Sequence, residues 1–400
     1  MRQTLISMAA AALFAAAGNA SAADQPPLKI GFITDMSGLY ADIDGQGGLE
    51  AIKMAVADFG GTVLGRKIEI VSADHQNKAD IAASKTREWI DQNGVNVIIG
   101  GTNSGTALAT AKVAAEKKRI YINNGAGTSA LTNEQCSPYT IHYTYDTIAM
   151  ANGSAKGLLD KGYKNWFFLT ADYAFGYALE KDASNVVLAN GGKVLGDVKH
   201  PLNASDFSSY LLQAQSSKAQ VLGLANAGGD TINSVKAANE FGITKTMKLA
   251  GLLVFISDVH AIGIKNAQGL LATTAWYWDQ NDQTRKFAGR FMEKMKRMPG
   301  MVQAGDYSST MTYLNAVKAA GTDDSDKVME QLRKTKINDM FTKNGYIRKD
   351  GTMVHDMYLY EVKSPAEVKS PWDYYKLVSS LSGEKAFAIP PDSKCALLNK

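Results

Sequence analysis

The chain has 400 residues, two cysteines and a formal net charge of +4, with 45% apolar and 20% charged residues. This length is too great for one ordinary hydrophobic core and favours two domains. Positive and negative side chains are interspersed along the sequence, which argues against a nucleic-acid-binding surface, and two cysteines alone cannot form a zinc site.

The N-terminal segment has the order of a secretory signal peptide. Arg2 is followed by an apolar run at 5–17 and by the small residues at 20–22, the pattern of a cleavable export signal. The apolar run is too short for an ordinary transmembrane helix. We therefore expect residues 1–22 to be a signal peptide, and no lipid anchor, because Ala23 rather than a cysteine follows the expected cleavage site.

The two cysteines, Cys136 and Cys395, lie far apart in the sequence. Thiols in exported proteins tend to be oxidised, so we predict one long-range disulfide between them. The alternative is two unpaired thiols.

From residue 28 onward the chain alternates short apolar strands with helices in two successive cycles. The first cycle has strands at 28–34, 67–73, 95–101 and 120–123 and helices at 47–59, 81–92 and 104–118. The second has helices at 148–161, 178–190, 208–216 and 230–241 and strands at 165–171, 193–200, 219–226, 247–253 and 269–277. Strands rich in Val and Ile are typical of strands buried on both faces. The alternation predicts an α/β fold of two doubly wound lobes with parallel sheets.

The last part of the chain does not continue this alternation. It has predicted helices at 282–296, 302–320 and 326–334, followed by two antiparallel strands at 356–363 and 373–380. The sequence has no proline-rich linker between the two cycles, so we expect the lobes to be joined by several ordered crossings.

The loops that follow the strands of the first cycle are neutral and rich in small residues. They lie at 35–40, 102–106 and 124–129 and contain no Lys or Arg. In open parallel sheets ligands bind beyond the carboxyl ends of the strands, and free N–H groups at a helix N-terminus attract an anion. These loops therefore predict a site for a carboxylate. The alternative is that Asn103 or Ser104 only caps the helix that follows.

Several segments resemble periplasmic solute-binding proteins of the leucine/isoleucine/valine type, the extracytoplasmic receptors of ABC importers. The segments are FITDMSGLYADIDG, GTVLGRKIEIVSADHQN, TADYAFGYALEKDA, GLANAGGDTINSVKAANEFG, YWDQNDQTRKFAGRFMEK and MVQAGDYSSTMTYLNAV. The resemblance implies two lobes that close on a ligand, joined by three hinge crossings near 143–146, 277–279 and 346–349. It places residues 23–144 plus 278–347 in the first lobe and 145–277 plus 348–400 in the second.

The same resemblance implies a periplasmic monomer that binds a small molecule and docks on a membrane permease, without a cofactor, a metal or a nucleic acid. The family's carboxylate contacts match Ser104, with Gly127 or Thr128 on the next loop, and its second-lobe aromatic residue matches Phe175. Amino-acid binders of this type hold the ligand ammonium with an acid after a later second-lobe strand. Here the residues at 251–255 are GLLVF, without an acid, and an unpaired buried ammonium is costly.

The sequence resembles the branch of the family that binds aromatic carboxylates such as benzoate and hydroxybenzoates. Four aromatic residues on the loops that face the cleft are expected to flank a flat ring: Tyr40, Tyr173, Phe175 and Phe255. A ring hydroxyl would find a polar partner in Asn226, Asp230 or Asp172. The predicted ligand-binding set is Tyr40, Asn103, Ser104, Asn124, Gly127, Thr128, Asp172, Tyr173, Phe175, Asn226, Asp230 and Phe255.

Three alternatives remain open at this point. The ligand could be a branched-chain amino acid or an amide such as urea, and the protein could be a ligand-sensing domain for a membrane signalling partner. An enzyme is disfavoured, because no glycine triplet joins the first strand to the first helix and no Gly-x-Ser-x-Gly motif occurs. The five histidines are scattered along the chain, which disfavours a metal site.

Overall fold

A computed structural model describes residues 26–399, so the predicted signal peptide at 1–22 lies outside the described residues. Within the described range, no helix combines the length and the apolar character that a bilayer crossing requires.

The first lobe is built on a six-stranded sheet. Its strands are β1 (Leu28–Thr34), β2 (Thr62–Val63), β3 (Arg66–Asp74), β4 (Val97–Ile99), β5 (Ile120–Asn123) and β6 (Thr140–His142). They lie in the order β2-β3-β1-β4-β5-β6, parallel except for the β2–β3 hairpin. The connecting helices are α1 (Gly45–Phe59), α2 (Ala79–Asp91) and α3 (Ser104–Glu116).

The second lobe repeats this design on four parallel strands. It begins with α4 (Thr147–Met150), a π-helical segment (Ala151–Ala155) and α5 (Lys156–Asp160). Its strands are β7 (Asn165–Ala171), β8 (Lys193–His200), β9 (Val221–Ala225) and β10 (Lys248–Gly251), in the order β10-β9-β7-β8. Its other helices are α6 (Ala174–Ala189), α7 (Ser208–Ser216), α8 (Gly229–Glu240), α9 (Ile256–Ile262) and α10 (Ile264–Ala267).

The remaining elements complete both lobes. They are β11 (Leu271–Thr274), α11 (Asp282–Met295), α12 (Met301–Ala320), α13 (Ser325–Lys334), β12 (Tyr346–Ile347), β13 (Met353–Val354), β14 (Met357–Val362), β15 (Tyr375–Leu381) and α14 (Gly383–Ala386). In the first lobe α12 packs against α1, and α13 packs against α12. Beside the second sheet, β11, β14 and β15 form an antiparallel sheet of their own, and β12 pairs with β13.

The chain passes between the lobes three times. The passages lie between β6 and α4, between β11 and α11, and between β13 and β14. In the six-stranded sheet β1 lies between β3 and β4, and in the four-stranded sheet β7 lies between β8 and β9. The strand order of each sheet therefore reverses beside its first parallel strand. The point where the strand order reverses is where such sheets bind ligands. The predicted α/β fold of two doubly wound lobes is confirmed, while the predicted residue boundaries of the lobes stay predictions.

Burial explains the composition of the strands. Every residue of β4, β5 and β9 is buried, as expected for parallel strands covered by helices on both faces. The edge strand β8 instead alternates between exposed and half-buried positions up to its last residue, His200, which is buried, because only one of its faces packs against the helices.

The structure differs from the sequence-based elements in a few places. The strand predicted at 269–277 is β11, which ends at Thr274, because the Trp276 indole leaves the sheet to donate a hydrogen bond to the Met340 carbonyl, 3.1 Å away. The helix predicted from residue 178 already begins at Ala174. The helix can start there because residue 176 is a glycine. A Cβ at this position would lie only 2.0 Å from the Ala171 carbonyl oxygen. The short helices α9 and α10 were not predicted.

The predicted disulfide between Cys136 and Cys395 is present and confirmed. It fixes the C-terminal tail (387–399), which follows the elements of the second lobe, to a loop of the first lobe. The attachment is reinforced by the Lys394 backbone N–H, which donates to Asn133 Oδ1 at 2.6 Å. The tail is therefore a further connection between the lobes.

Replacing both cysteines, Cys136→Ser with Cys395→Ser, should lower the free energy of unfolding by about 2–5 kcal/mol, because the bond closes a long loop in the unfolded chain. Urea denaturation followed by tryptophan fluorescence measures the change. Wild-type protein treated with a reductant is the matched control and should unfold at the same midpoint as the double variant. A double variant as stable as the oxidised wild type would contradict this prediction.

Candidate functional site

A small cavity lies between the two lobes at the carboxyl ends of the parallel strands. Nine uncharged residues line it: Ile43, Thr102, Gly125, Gly127, Tyr145, Tyr173, Phe175, Ala227 and Leu253. The cavity has a volume of about 10 Å³, measured as the space open to the centre of a water molecule. This is room for about one water molecule. The lobes are thus closed on each other.

Besides a space of about 320 Å³ beside the 128–135 loop and the first turns of α6, two larger spaces lie on the outside of the lobes. One, of about 550 Å³, is a groove between α12 and the segment 335–340, and another, of about 660 Å³, lies beneath the C-terminal tail. Neither lies at the carboxyl ends of parallel strands, where sheets of this type bind their ligands. We therefore take the cavity between the lobes as the candidate site.

The loop after β1 is held in place by one carboxylate. Asp35 accepts hydrogen bonds from the backbone N–H of Gly38 at 2.7 Å and of Tyr40 at 2.9 Å, and from Asn77 Nδ2 at 2.6 Å. Because these bonds fold the loop back on itself, the Tyr40 side chain extends toward the second lobe.

The loops after β4 and β5 are tied together behind the cavity. The Asn103 side chain caps α3, since its Oδ1 accepts the Thr106 N–H at 3.1 Å. Ser104 Oγ accepts the backbone N–H of Thr128 at 3.2 Å. Ser104 and Thr128 therefore do not line the cavity themselves, but they fix the backbone next to Gly127, which does. The first turn of α3 also has backbone N–H groups without intrahelical acceptors.

Direct contacts across the cleft hold the two lobes together. The hydroxyl oxygens of Tyr40 and Tyr173 lie 2.6 Å apart, and the Ser129 hydroxyl donates to Asp182 Oδ2 at 3.0 Å. Phe175 packs against Gly127 so closely that a Cβ on this glycine would lie 2.9 Å from the ring. Glycine is therefore required at 127 for the lobes to approach this far.

Burial keeps the phenols of the cleft neutral. Desolvation is the main cause that raises the pKa of Tyr40, Tyr173 and Tyr145 above the ordinary value. These hydroxyls remain protonated at neutral pH and act as uncharged hydrogen-bonding groups. The Tyr145 hydroxyl already donates to the Gly125 carbonyl.

Two polar residues of the second lobe lie behind the cavity wall. Asn226 Nδ2 lies 3.1 Å from His200 Nε2, and Asn226 Oδ1 accepts the Thr231 hydroxyl at 2.7 Å. Asp230 accepts the backbone N–H groups of Asn203 and Ala204 at 3.1 and 3.0 Å. Burial raises the pKa of Asp230, and both of its oxygens are used within the second lobe.

Three other predicted residues lie away from the cavity. Asn124 Nδ2 donates to Asp306 Oδ1 at 2.6 Å and to Ser309 Oγ at 3.0 Å, inside the first lobe. The exposed Asp172 carboxylate accepts the Tyr177 hydroxyl. Phe255 stands edge-on to Tyr145, with ring centroids 6.1 Å apart, and borders a neighbouring gap beside Trp276.

The structure thus brings Gly127, Tyr173 and Phe175 together around the cavity, with Tyr40 directly adjacent. Six lining residues were not predicted from the sequence: Ile43, Thr102, Gly125, Tyr145, Ala227 and Leu253. Three of these, Thr102, Gly125 and Ala227, are direct sequence neighbours of predicted residues. In the described part of the chain, no cluster of three or more His, Cys, Asp or Glu side chains is arranged to hold a metal ion.

Comparison with known proteins agrees with this architecture. A family model described as "Periplasmic binding protein" matches residues 27–367. A periplasmic binding protein from Burkholderia mallei is 67% identical, with 93% of this chain and 99% of that chain covered and a TM-score of 0.92. A branched chain amino acid ABC transporter periplasmic ligand-binding protein from Burkholderia xenovorans LB400 is 39% identical, with 92% and 99% covered and a TM-score of 0.83.

A more distant structure shares the fold. It is a solute binding protein of an ABC transporter from Rhodopseudomonas palustris BisB5, in complex with 3,4-dihydroxy benzoic acid. It is 24% identical to this chain, with 89% of this chain and 98% of that chain covered and a TM-score of 0.80.

The substitution Gly127→Ala should disfavour the closed arrangement by about 1–3 kcal/mol, the usual effect of overpacking a tight contact. The new Cβ would lie 2.9 Å from Phe175 and 3.1 Å from Tyr145. Small-angle X-ray scattering should show a larger radius of gyration than for the wild type. The matched control is Gly289→Ala on α11, where nothing lies within 4 Å of the new Cβ. Equal radii for all three proteins would contradict the prediction.

Proposed function

The chain belongs to the periplasmic binding protein family, and we propose that it captures a small carboxylate, with an aromatic acid as the preferred ligand. In this proposal it is the extracytoplasmic receptor of an ABC importer. It binds the ligand between its lobes in the periplasm, closes, and delivers the ligand to a membrane permease. The observation that carries the proposal is the uncharged, aromatic lining of the cavity between the lobes.

The lining residues favour a ligand that carries only a carboxylate over a zwitterion that also carries an ammonium group. All nine lining residues are uncharged, so a buried ammonium would have no carboxylate beside it, which is costly. The buried acid Asp230 already accepts two backbone N–H groups. A carboxylate can instead be held by the N–H groups at the start of α3, and hydrogen bonds to a charged group contribute about 1.5–3 kcal/mol each.

The aromatic residues support a flat apolar body on the ligand. Tyr145, Tyr173 and Phe175 line the cavity from both sides of the cleft, and contacts between aromatic rings contribute about 0.5–1.5 kcal/mol beyond their buried area. The Rhodopseudomonas palustris protein in complex with 3,4-dihydroxy benzoic acid illustrates that this fold accommodates such an acid.

The size of the cavity bears on the mechanism. Since it has room for about one water molecule, an aromatic acid enters only when the lobes separate. The ligand then bridges the two lobes and stabilises a closed form in which Tyr173 and Phe175 have moved apart from Gly127 to admit the ring. Such a ligand shifts the open–closed equilibrium by the contacts that it makes only in the closed form.

One observation favours a second ligand class. The Burkholderia xenovorans relative is described as a branched chain amino acid ABC transporter periplasmic ligand-binding protein, so a branched-chain amino acid is the alternative cargo. An amide such as urea is the other ligand left open by the sequence. A sensing role would use the same closure and differ only in the membrane partner. We propose no catalytic activity, because the relatives are binding proteins.

A ligand screen tests the proposed class. The mature protein should gain thermal stability with benzoate and 4-hydroxybenzoate, because a ligand that binds only the native state raises the melting temperature. Differential scanning fluorimetry with equal concentrations of benzoate, 4-hydroxybenzoate, valine and urea makes the comparison. Stabilisation by valine or urea without stabilisation by the aromatic acids would replace the proposed ligand with the alternative.

The substitution Ser104→Asp should weaken benzoate binding at least about tenfold, or about 1.4 kcal/mol, because a fixed negative charge beside the start of α3 repels the carboxylate. Ser104→Asn is the matched control, since the asparagine side chain has the size of aspartate without its charge. Isothermal titration calorimetry measures the affinities, and melting temperatures verify that both variants fold. Equal affinities in the two variants would show that the carboxylate lies elsewhere.

A further inference from the structure

Two fully buried carboxyl groups face each other inside the first lobe, behind the candidate site. Asp44 precedes α1 and Asp306 lies in α12, and both have 0% exposure. The residue between them is Gly48. A Cβ on this glycine would lie 1.8 Å from Asp44 Oδ1 and 2.6 Å from Asp306 Oδ2, so both oxygens point at the same spot.

One oxygen of each carboxyl group has a hydrogen-bond donor and the other has none. The Thr34 hydroxyl donates to Asp44 Oδ2 at 2.7 Å, and Asn124 Nδ2 donates to Asp306 Oδ1 at 2.6 Å. The two facing oxygens, Asp44 Oδ1 and Asp306 Oδ2, receive no hydrogen bond of normal geometry from any described residue, although the Gly101 backbone N–H is near enough to Asp44 to lower its pKa. Two ionised carboxylates in this arrangement would repel each other in a medium of low polarity. A proton between the facing oxygens removes that repulsion.

The surroundings favour retention of this proton. Burial raises the pKa of both carboxyl groups, and the pKa of Asp306 is raised further by the charge of Asp44. The titratable groups that face the pair are Asp35 after β1, Tyr121 on β5 and Tyr145 in the first passage between the lobes. The Asp35 charge raises the pKa of Asp44, and the two phenols are neutral because burial raises their pKa.

The pair is connected to both first-lobe loops that line the cavity. Thr34, which donates to Asp44, lies with its hydroxyl oxygen 3.2 Å from that of Thr102. Asn124, which donates to Asp306, directly precedes Gly125. Thr102 and Gly125 are both lining residues. Only Thr34 therefore separates the pair from the 102 loop, and only Asn124 separates it from Gly125.

We propose that Asp44 and Asp306 share one proton and act as positioning residues that hold the 102 and 125 loops in their binding arrangement. The effect on ligand binding rests on the proposed function, whereas the shared proton does not. When the proton is lost at high pH, the two carboxylates repel, the loops shift and the cavity loses its shape.

The sign of the pH effect follows from the raised pKa values. The folded protein retains a proton that the unfolded chain releases above about pH 4, the ordinary range for Asp. The pair's contribution to stability is complete below that pH and decreases as the pH rises through the pKa of the folded pair.

The substitution Asp306→Asn supplies a permanent donor in place of the proton. Its amide N–H₂ faces Asp44 Oδ1, while its amide oxygen still accepts from Asn124. Between pH 6 and pH 9 the melting temperature of the ligand-free wild type should decrease more than that of Asp306→Asn. Asp282→Asn is the matched control, because the Asp282 side chain is 98% exposed, and it should follow the wild type. Parallel curves for wild type and Asp306→Asn would overturn the proposal.

A second measurement detects the proton directly. Burial also raises the pKa of Asp146 and Asp258 to about 7, so infrared spectra of the ligand-free wild type and of Asp306→Asn are compared at pH 7. The wild type should show a carbonyl stretching band of a buried protonated carboxyl group that Asp306→Asn lacks. If the wild-type spectrum has no such band beyond those of the variant, no proton is shared and the proposal is wrong.

The effect of the pair on ligand binding is tested by measuring the affinity for benzoate between pH 6 and pH 9, where benzoate itself does not titrate. The wild-type affinity should fall with rising pH by up to about tenfold per pH unit above the pKa of the pair, the limit for one linked proton. The affinity of Asp306→Asn should stay nearly constant. An equal pH dependence in both proteins overturns the positioning role. Absence of benzoate binding at every pH counts against the proposed ligand instead, and the ligand-free measurements then decide on the pair.

Discussion

The close approach of Phe175 to Gly127 is the contact on which the closed structure depends. It brings a ring of the second lobe onto the bare backbone of the first, at the place where the strand order of each sheet reverses. The Tyr40–Tyr173 hydroxyl contact lies beside it because the Asp35 carboxylate folds the first loop toward the cleft. The site is therefore a joint between two rigid sheets, and it exists only when they meet.

Charge is kept out of this joint and confined to a second layer behind it. The lining is uncharged, while the buried acids Asp44 and Asp306 lie behind it and accept hydrogen bonds from Thr34 and Asn124, which adjoin the 102 and 125 loops. Asp230 accepts the backbone N–H groups of the 203–204 loop in the second lobe. Polar groups buried at this depth are usually hydrogen-bonded, and the facing oxygens of Asp44 and Asp306, which receive no hydrogen bond of normal geometry from a described residue, would be satisfied by the shared proton. In our proposals the acids hold the loop backbones, and the neutral surface in front of them contacts the ligand.

The sequence was sufficient for the fold class and the family resemblance, because each leaves a local or repetitive pattern. It was also sufficient for the disulfide, because thiols in exported proteins tend to be oxidised and two cysteines allow only one pairing. Periodicity and strand composition predicted all four strands of the second parallel sheet and four of the six strands of the first, since strands buried on both faces must be apolar. The short strands β2 and β6 were not predicted. The sequence was less informative about which residues line the site. Asn103 and Asn124 have the chemistry of ligand contacts, but their side chains bond to Thr106 and Asp306, and which side of a loop faces the cleft depends on tertiary packing. Tyr145 gave no signal, because its position in a passage between the lobes marked it as hinge.

The disulfide between Cys136 and Cys395 has a topological consequence. It closes residues 136–395 into a single covalent ring, and all three passages between the lobes lie within that ring. A protease that nicks any one peptide bond of the ring linearises it without releasing a fragment. Both halves of the protein then stay attached through sulfur, even when a hinge strand has been severed.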